Sequence, residues 1–140
     1  MPSVFTQIMS GALPGRMVWQ DSACVALLTN RPIRPGHALV VPRQEIDHWL
    51  DLPPELTEHL FRVSQAVGRG LQEAFRPAKV GVAIVGLEVK HAHIHLVPID
   101  AVGDLDFSKQ DMNAQAADLD RAADLLRASL RTLGYAEVTG

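Results

Sequence analysis

Residues 91–96 read His-Ala-His-Ile-His-Leu, a strict alternation of polar and apolar side chains. A period of two belongs to an extended strand rather than a helix. Alternate side chains on a strand share a face, so His91, His93 and His95 stand together while Ala92, Ile94 and Leu96 face the other way. The chain must therefore build a sheet with one packed face and one face left open to polar groups. Neighbouring histidines of the row lie about 6.5 Å apart at Cα and the outer two about 13 Å apart. A single zinc ion with ligand bonds of about 2 Å reaches two neighbours but not all three. A row of imidazoles suits a phosphate ester better, because the neutral ring is a nucleophile and its protonated form donates hydrogen bonds to anionic oxygens. An ordinary pKa of about 6.5 lets each ring change charge near neutrality. Two alternatives stay open here: a metal held by two of the three histidines, or a histidine-lined structural seam.

The rest of the pattern supplies the sheet and its cover. Val4 to Ser10 predicts a short helix stopped by Gly11 and Pro14. Strands are predicted over Arg16–Gln20, Ala23–Thr29, His37–Val41, Lys79–Val85 and Glu88–Ile99, with Gly86 turning between the last two. Leu56, Leu60, Val63, Val67, Leu71 and Ala74 recur at steps of three or four and predict a long helix. Asp51 is its expected cap, Pro53 and Pro54 suit its first turn, and Pro77 ends it. A second long helix, from about Asn113 to Leu133, carries Leu119, Ala122, Leu126, Leu130 and Leu133 on one stripe, with Gly134 as its cap. Both stripes read as core packing. The result is an α+β fold: a five-stranded, largely antiparallel sheet with a long helix between strands three and four and a C-terminal helix. The helices cover one face, and the histidines take what they leave open.

At 140 residues and 47% hydrophobic, the chain has the size of one domain, residues 1–140, with a real core. A net charge of −3 provides no general field for a nucleic acid polymer, although a small anion needs only a local site. No apolar run is long enough to span a membrane, and the N-terminal stretch lacks the charged and apolar regions of a signal peptide, so cytoplasmic residence is expected. Cys24 is the only cysteine; it excludes an intrachain disulfide, and its setting Ala-Cys-Val-Ala-Leu predicts a buried thiol. His37, in a Pro-Gly-His turn, reads as a loop anchor, and His48 and His59 read as surface residues.

The segment His91-Ala92-His93-Ile94-His95-Leu96-Val97 resembles the signature of the histidine triad (HIT) superfamily. Val4-Phe5-Thr6-Gln7-Ile8 resembles that family's Ile-Phe-x-x-Ile stretch, and Arg34-Pro35-Gly36-His37-Ala38-Leu39-Val40-Val41-Pro42 its Pro-Gly-His-x-Leu-Val-x-Pro segment. The likeness runs from about residue 4 to residue 100. It implies a HIT-like fold and a homodimer whose two sheets join. The implied activity is a nucleotide-binding hydrolase that cleaves a nucleoside phosphoramidate, a nucleotidyl anhydride or a dinucleoside polyphosphate, with a purine the expected base. By position, His93 attacks the α-phosphorus and forms a nucleotidyl-histidine, His95 holds phosphate oxygens, and His91 orients its neighbour. Transferase branches tend to carry Gln at the third triad position, so His95 points to hydrolysis. No cofactor is implied. The alternative within the same fold is a nucleotide-binding regulatory module of low turnover.

Several positions depart from the family pattern. Thr29 stands where many members bind ribose with Asp, and Asn30 beside it offers a compensating group. Leu87 replaces a polar Gln in Gly86-Leu87-Glu88-Val89-Lys90, while Glu88 is an accepted variant there. Glu45 replaces a His found in many relatives; a carboxylate close to the triad would hold a histidine cationic. Phe5, Ile8 and Leu27 match residues that enclose the base, with ordinary core packing as the competing reading. The zinc site of some branches uses an N-terminal Cys near Phe5, which is absent here, so no metal is expected.

Overall fold

The computed structural model describes residues 1–140. A short helix, α1 (Val4–Met9), precedes the strands β1 (Arg16–Gln20), β2 (Cys24–Leu28) and β3 (Ala38–Pro42). The long helix α2 (Pro54–Phe75) follows, then β4 (Lys79–Ala83), β5 (Ile94–Ile99) and α3 (Ala116–Thr132). The five strands form one sheet in the order β1-β2-β3-β5-β4, and every neighbouring pair is antiparallel. No helix is long and apolar enough to cross a membrane.

Strand alternation divides the core in two. Cys24, Ala26 and Leu28 of β2, Ala38 and Val40 of β3, and Ile94 and Leu96 of β5 face α2 and α3, where they pack with Leu60, Val63, Val67, Leu71, Leu126 and Leu130. The opposite face carries Val25, Leu27, Leu39 and Val41, closed by Phe5 of α1. Ala92 also belongs to the helix-side core, so the predicted two-sided segment is real.

Its secondary structure differs from the expectation. The strand predicted over Glu88–Ile99 starts only at Ile94, because the partner ladders run out: β3 pairs with β5 no further than Val40↔Ile94, and β4 no further than Ala83↔His95. Beyond that point the Pro42 carbonyl accepts from the His91 ring, and the Ala92 amide donates to the Ile46 carbonyl in a loop. His91 and His93 are thus held by side-chain and loop bonds, outside the sheet ladder.

Helix ends show smaller differences. Asp51 does not cap α2; it closes a 3-10 turn over Trp49–Asp51, while Pro53 occupies the cap position and Pro54 the first turn. Arg76, in the left-handed region at φ 50°, ends α2 just before Pro77. The C-terminal helix starts at Ala116 rather than near Asn113, and Leu133 is exposed rather than part of its buried stripe. Gly134, at φ 91°, does terminate it: the Gly134 amide bonds to the Arg131 carbonyl and the Tyr135 amide to the Leu130 carbonyl, the paired bonds of a Schellman motif.

Candidate active site

Four histidine rings gather on the sheet face away from α2 and α3. Register places His95 opposite Leu39, and His37 precedes β3 on the same face as Leu39. A turn aims His37: its amide donates to the Arg34 carbonyl across Pro35 and Gly36, and Gly36 sits at φ 91°, as the third position of a type II turn requires. A Cβ at Gly36 would also strike the Phe75 ring at 2.8 Å.

Hydrogen bonds determine which nitrogen of each ring carries the proton. Nδ1 of His93 lies 2.8 Å from the His91 carbonyl, so it must be the donor. In the neutral ring this leaves the lone pair on Nε2. The Ile33 amide donates to Nδ1 of His37 at 3.0 Å, so neutral His37 carries its proton on Nε2 and donates it to Nδ1 of His95, 2.9 Å away. Neutral His95 then keeps its proton on Nε2. Neither His93 Nε2 nor His95 Nε2 has a protein partner, yet no buried side-chain nitrogen or oxygen is unpaired. Both atoms therefore reach the cavity surface.

That cavity, about 190 Å³, is lined by His93, His95, residues 85–89, Phe107 and Gln110. The rings are tightly set, with His93 and His95 each 8% exposed. Their centroids are 4.8 Å apart; Phe5 meets His93 edge-on at 4.9 Å and Phe107 meets His95 at 4.8 Å. Burial disfavours the charged rings. It pushes His37 down to about 4 and His95 to about 3, with further repulsion from His93 in both cases. His93 is also lowered by burial, against which the His91 carbonyl bond and the Glu88 carboxylate act. The site thus presents a lone pair beside an N–H donor, both uncharged, and suits an incoming anion.

His91 differs from its neighbours. It is fully buried, its Nε2 donates to the Pro42 carbonyl at 2.7 Å, and its Nδ1 lies 2.6 Å from the Ser3 hydroxyl. Ser3 Oγ also caps α1 by accepting from the Thr6 amide. The Ser3 amide in turn donates to Glu45, whose carboxyl is held below its ordinary range by bonds from the Thr6 hydroxyl and the Ser3 amide. Glu45 is exposed, and its hydrogen-bonded link to the triad runs through Ser3, with His91 close enough to act on its charge directly. Hydroxyls thus occupy the N-terminal stretch where some branches of the family carry a zinc-binding Cys. With one imidazole and one carboxylate as its only good zinc donors beside two neutral hydroxyls, this cluster does not fit zinc.

The other predicted residues are distributed unevenly. Phe5 touches the triad, and Ile8 and Leu27 pack around Phe5 as part of the smaller core. Glu88 lines the triad cavity and is exposed, as is Leu87 at its mouth. Thr29 and Asn30 are not brought to that cavity. The Thr29 hydroxyl accepts from the Arg31 amide at 3.2 Å, Asn30 accepts from Arg16 at 3.3 Å, and Thr29 lines a separate cavity of about 350 Å³ beside α3. Sequence reasoning does not single out His37 or Ser3 as site residues. A signal exists for His37, since Leu39 and Val41 at steps of two put it on the β3 face that pairs with the triad strand.

The family model described as the HIT domain matches residues 10–102. Over 135 residues the chain is 27% identical to an uncharacterized HIT-like protein of Mycobacterium tuberculosis, covering 93% of this chain and 94% of that one. A zinc-bound histidine triad family protein from Mycobacterium smegmatis superposes with a TM-score of 0.79 at 29% identity, covering 93% and 94% of the two chains. A HIT family hydrolase from Legionella pneumophila superposes with a TM-score of 0.59 at 25% identity, covering 69% of this chain and 91% of that one.

Proposed function

The chain belongs to the HIT domain family, and we propose that it hydrolyses a nucleoside 5′-phosphate derivative at the α-phosphorus through a covalent adduct on His93. The observation that carries this reading is the free Nε2 lone pair of His93, opening onto a cavity beside the Nε2–H of His95.

The lone pair of His93 Nε2 forms a bond to phosphorus while the bond to the leaving group breaks, its electron pair going with that group. The ring becomes a phosphorylated imidazolium, and its Nδ1–H stays on the His91 carbonyl, an acceptor well placed for the new positive charge. His95 donates its Nε2–H to a phosphoryl oxygen throughout, since the Ile33 amide and His37 keep that proton on the cavity side. Water then attacks phosphorus, the N–P bond returns its pair to Nε2, and a proton leaves to solvent. None of these steps needs a cofactor.

The test is to incubate the protein with adenosine 5′-phosphoramidate, with and without chelator, and to search intact mass spectra for a nucleotidyl adduct after a neutral quench. An adduct and turnover insensitive to chelator support the reading; chelator-sensitive turnover would favour a metal on the histidines. One observation favours a second reading, a nucleotide-binding module of low turnover: Leu87, 85% exposed at the cavity mouth, offers no polar group to a leaving group. Binding without turnover across phosphoramidates, anhydrides and dinucleoside polyphosphates would establish it. The joined-sheet homodimer implied by the family remains part of the proposal, with β4 available as an edge strand.

Two substitutions probe the surroundings. Ser3→Ala removes the bond to His91, and an average hydrogen bond of about 1 kcal/mol corresponds to about a fivefold loss of kcat with KM little changed. Equal activity in the two proteins would remove Ser3 from the positioning of His91. Thr29→Asp supplies a charged acceptor, and if ribose lies there the affinity for AMP rises by about tenfold, while a 2′,3′-dideoxy analogue gains nothing. Equal gains for both ligands, or none, would place ribose elsewhere.

A further inference from the structure

On the opposite face of the sheet, where the β1–β2 hairpin meets the start of α2, three potential metal donors converge. Asp21 lies in the hairpin turn, Cys24 begins β2, and His59 sits in the second turn of α2. One donor atom from each lies within 4.8 Å of the others. Nε2 of His59 is 2.8 Å from Oδ2 of Asp21, and Sγ of Cys24 is 3.6 Å from the same oxygen. This also corrects the sequence reading of His59 as a surface residue, since its side chain is 34% exposed and paired.

The rest of the cluster is already organised. Oδ1 of Asp21 accepts from the amides of Ala23 and Cys24, which fixes the carboxylate, while Oδ2 accepts from Trp19 Nε1 at 3.1 Å and faces the thiol and imidazole. Arg43 Nε donates to the Asp21 backbone carbonyl. The thiol of Cys24 is fully buried and aimed at this point, and its one polar contact is the carboxylate. A carboxylate beside a thiol gives the sulfur no stabilisation as an anion. A cation between them reverses that.

We propose that Asp21, Cys24 and His59 bind one divalent transition metal ion of the zinc type, joining the β1–β2 hairpin to α2. A tetrahedral zinc with bonds of about 2.0 Å to N and O and about 2.3 Å to S spaces its donors roughly 3.3–3.6 Å apart. The observed separations of 2.8 and 3.6 Å bracket this, and the third, between His59 and Cys24, lies within 4.8 Å, so side-chain rotation must bring the imidazole and thiol together to complete the seat. Binding releases the thiol proton and moves the imidazole proton of neutral His59 from Nε2 to Nδ1. Two anionic ligands then neutralise the dication, which suits a buried sulfur, and water takes the fourth position on the exposed side of His59. The site departs from the sequence expectation of a metal-free chain, and it is independent of the triad.

Cobalt(II) added to the full chain, reduced and freed of metal, tests this directly. The expected result is one equivalent bound with an intense near-ultraviolet sulfur-to-cobalt charge-transfer band that zinc abolishes. Cys24→Ser removes the band, His59→Ala weakens zinc binding by at least about tenfold, and the double variant His93→Ala/His95→Ala keeps both properties. Zinc also raises the Tm of the parent protein and not that of His59→Ala. The proposal is overturned if the parent chain binds cobalt without a thiolate band, or if His59→Ala binds zinc as tightly as the parent. Because the parent spectrum alone decides the first outcome, poor folding of a variant does not leave the question open.

Discussion

His93→Ala abolishes formation of the nucleotidyl adduct and lowers turnover of adenosine 5′-phosphoramidate by at least about a thousandfold, because no other ring can take its place. His91 is fully buried with both ring nitrogens engaged, and His95 presents an N–H to the cavity rather than a lone pair. His95→Ala leaves the nucleophile intact and removes one donor to the phosphoryl oxygens, for a smaller loss of about a hundredfold in kcat. The fold survives the first substitution: His93 lies outside the strand ladders, and its ring packs edge-on against Phe5, whose other neighbours in the smaller core stay in place. A cooperative melt at nearly the parent temperature checks this. Turnover by His93→Ala within tenfold of the parent would eliminate the adduct mechanism.

The second large effect is acid lability. In the unfolded chain His37 and His95 titrate near pH 6.5, whereas in the folded protein burial lowers them to about 4 and about 3. Between those limits the unfolded state binds protons that the folded state refuses, so folding stability rises with pH. The contribution of the neutral pair is fully present above about pH 6.5 and is lost as the pH falls below it. Two such protons give a slope approaching 2.7 kcal/mol per pH unit, or of the order of 5 kcal/mol between pH 7 and pH 4. Against an ordinary domain stability of about 5–15 kcal/mol, that is enough to bring the unfolding midpoint near pH 4 within reach. Urea denaturation at a series of pH values measures the slope. His37→Gln retains an amide N–H in the place of Nε2–H and removes one titrating group, so it roughly halves the slope. A stability independent of pH between 4 and 6.5 would show that the rings are not buried as a neutral pair.

Much of the architecture is visible in the chain because it follows from local periodicity. Leu60, Val63, Val67 and Leu71 mark one face of α2, and the structure buries all four. Ala92, Ile94 and Leu96 mark the packed side of the triad segment, and all three enter the helix-side core. The end of a strand is less visible, because it depends on whether a partner is present. Residues 91–93 continue the alternating pattern of the strand but have no neighbouring ladder, so β5 begins at Ile94. The cap of α2 is hard to place for a related reason: a 3-10 turn intervenes and ends on Asp51.

The site is legible only in part. The triad and Phe5 stand in recognisable motifs, whereas His37 and Ser3 meet their partners across 58 and 88 residues. Glu45 illustrates the same difficulty, since no property of its own segment reveals that it binds the amide of Ser3. Thr29 and Asn30 lie away from the triad cavity, Thr29 accepting from the Arg31 amide within its own turn and Asn30 from the Arg16 side chain of β1, a contact set by strand pairing and not by local sequence.

By itself, the order of residues determined the α+β class, the two helical stripes and the pairing of an imidazole face with an apolar one, because each arises from side-chain spacing along a few turns or pleats. Only the tertiary structure decided which nitrogen of each ring carries a proton, and that Asp21, Cys24 and His59 share one corner. Protonation and ligand geometry depend on atoms about 3 Å apart, and it is strand register and helix docking that bring such atoms together from distant parts of a chain.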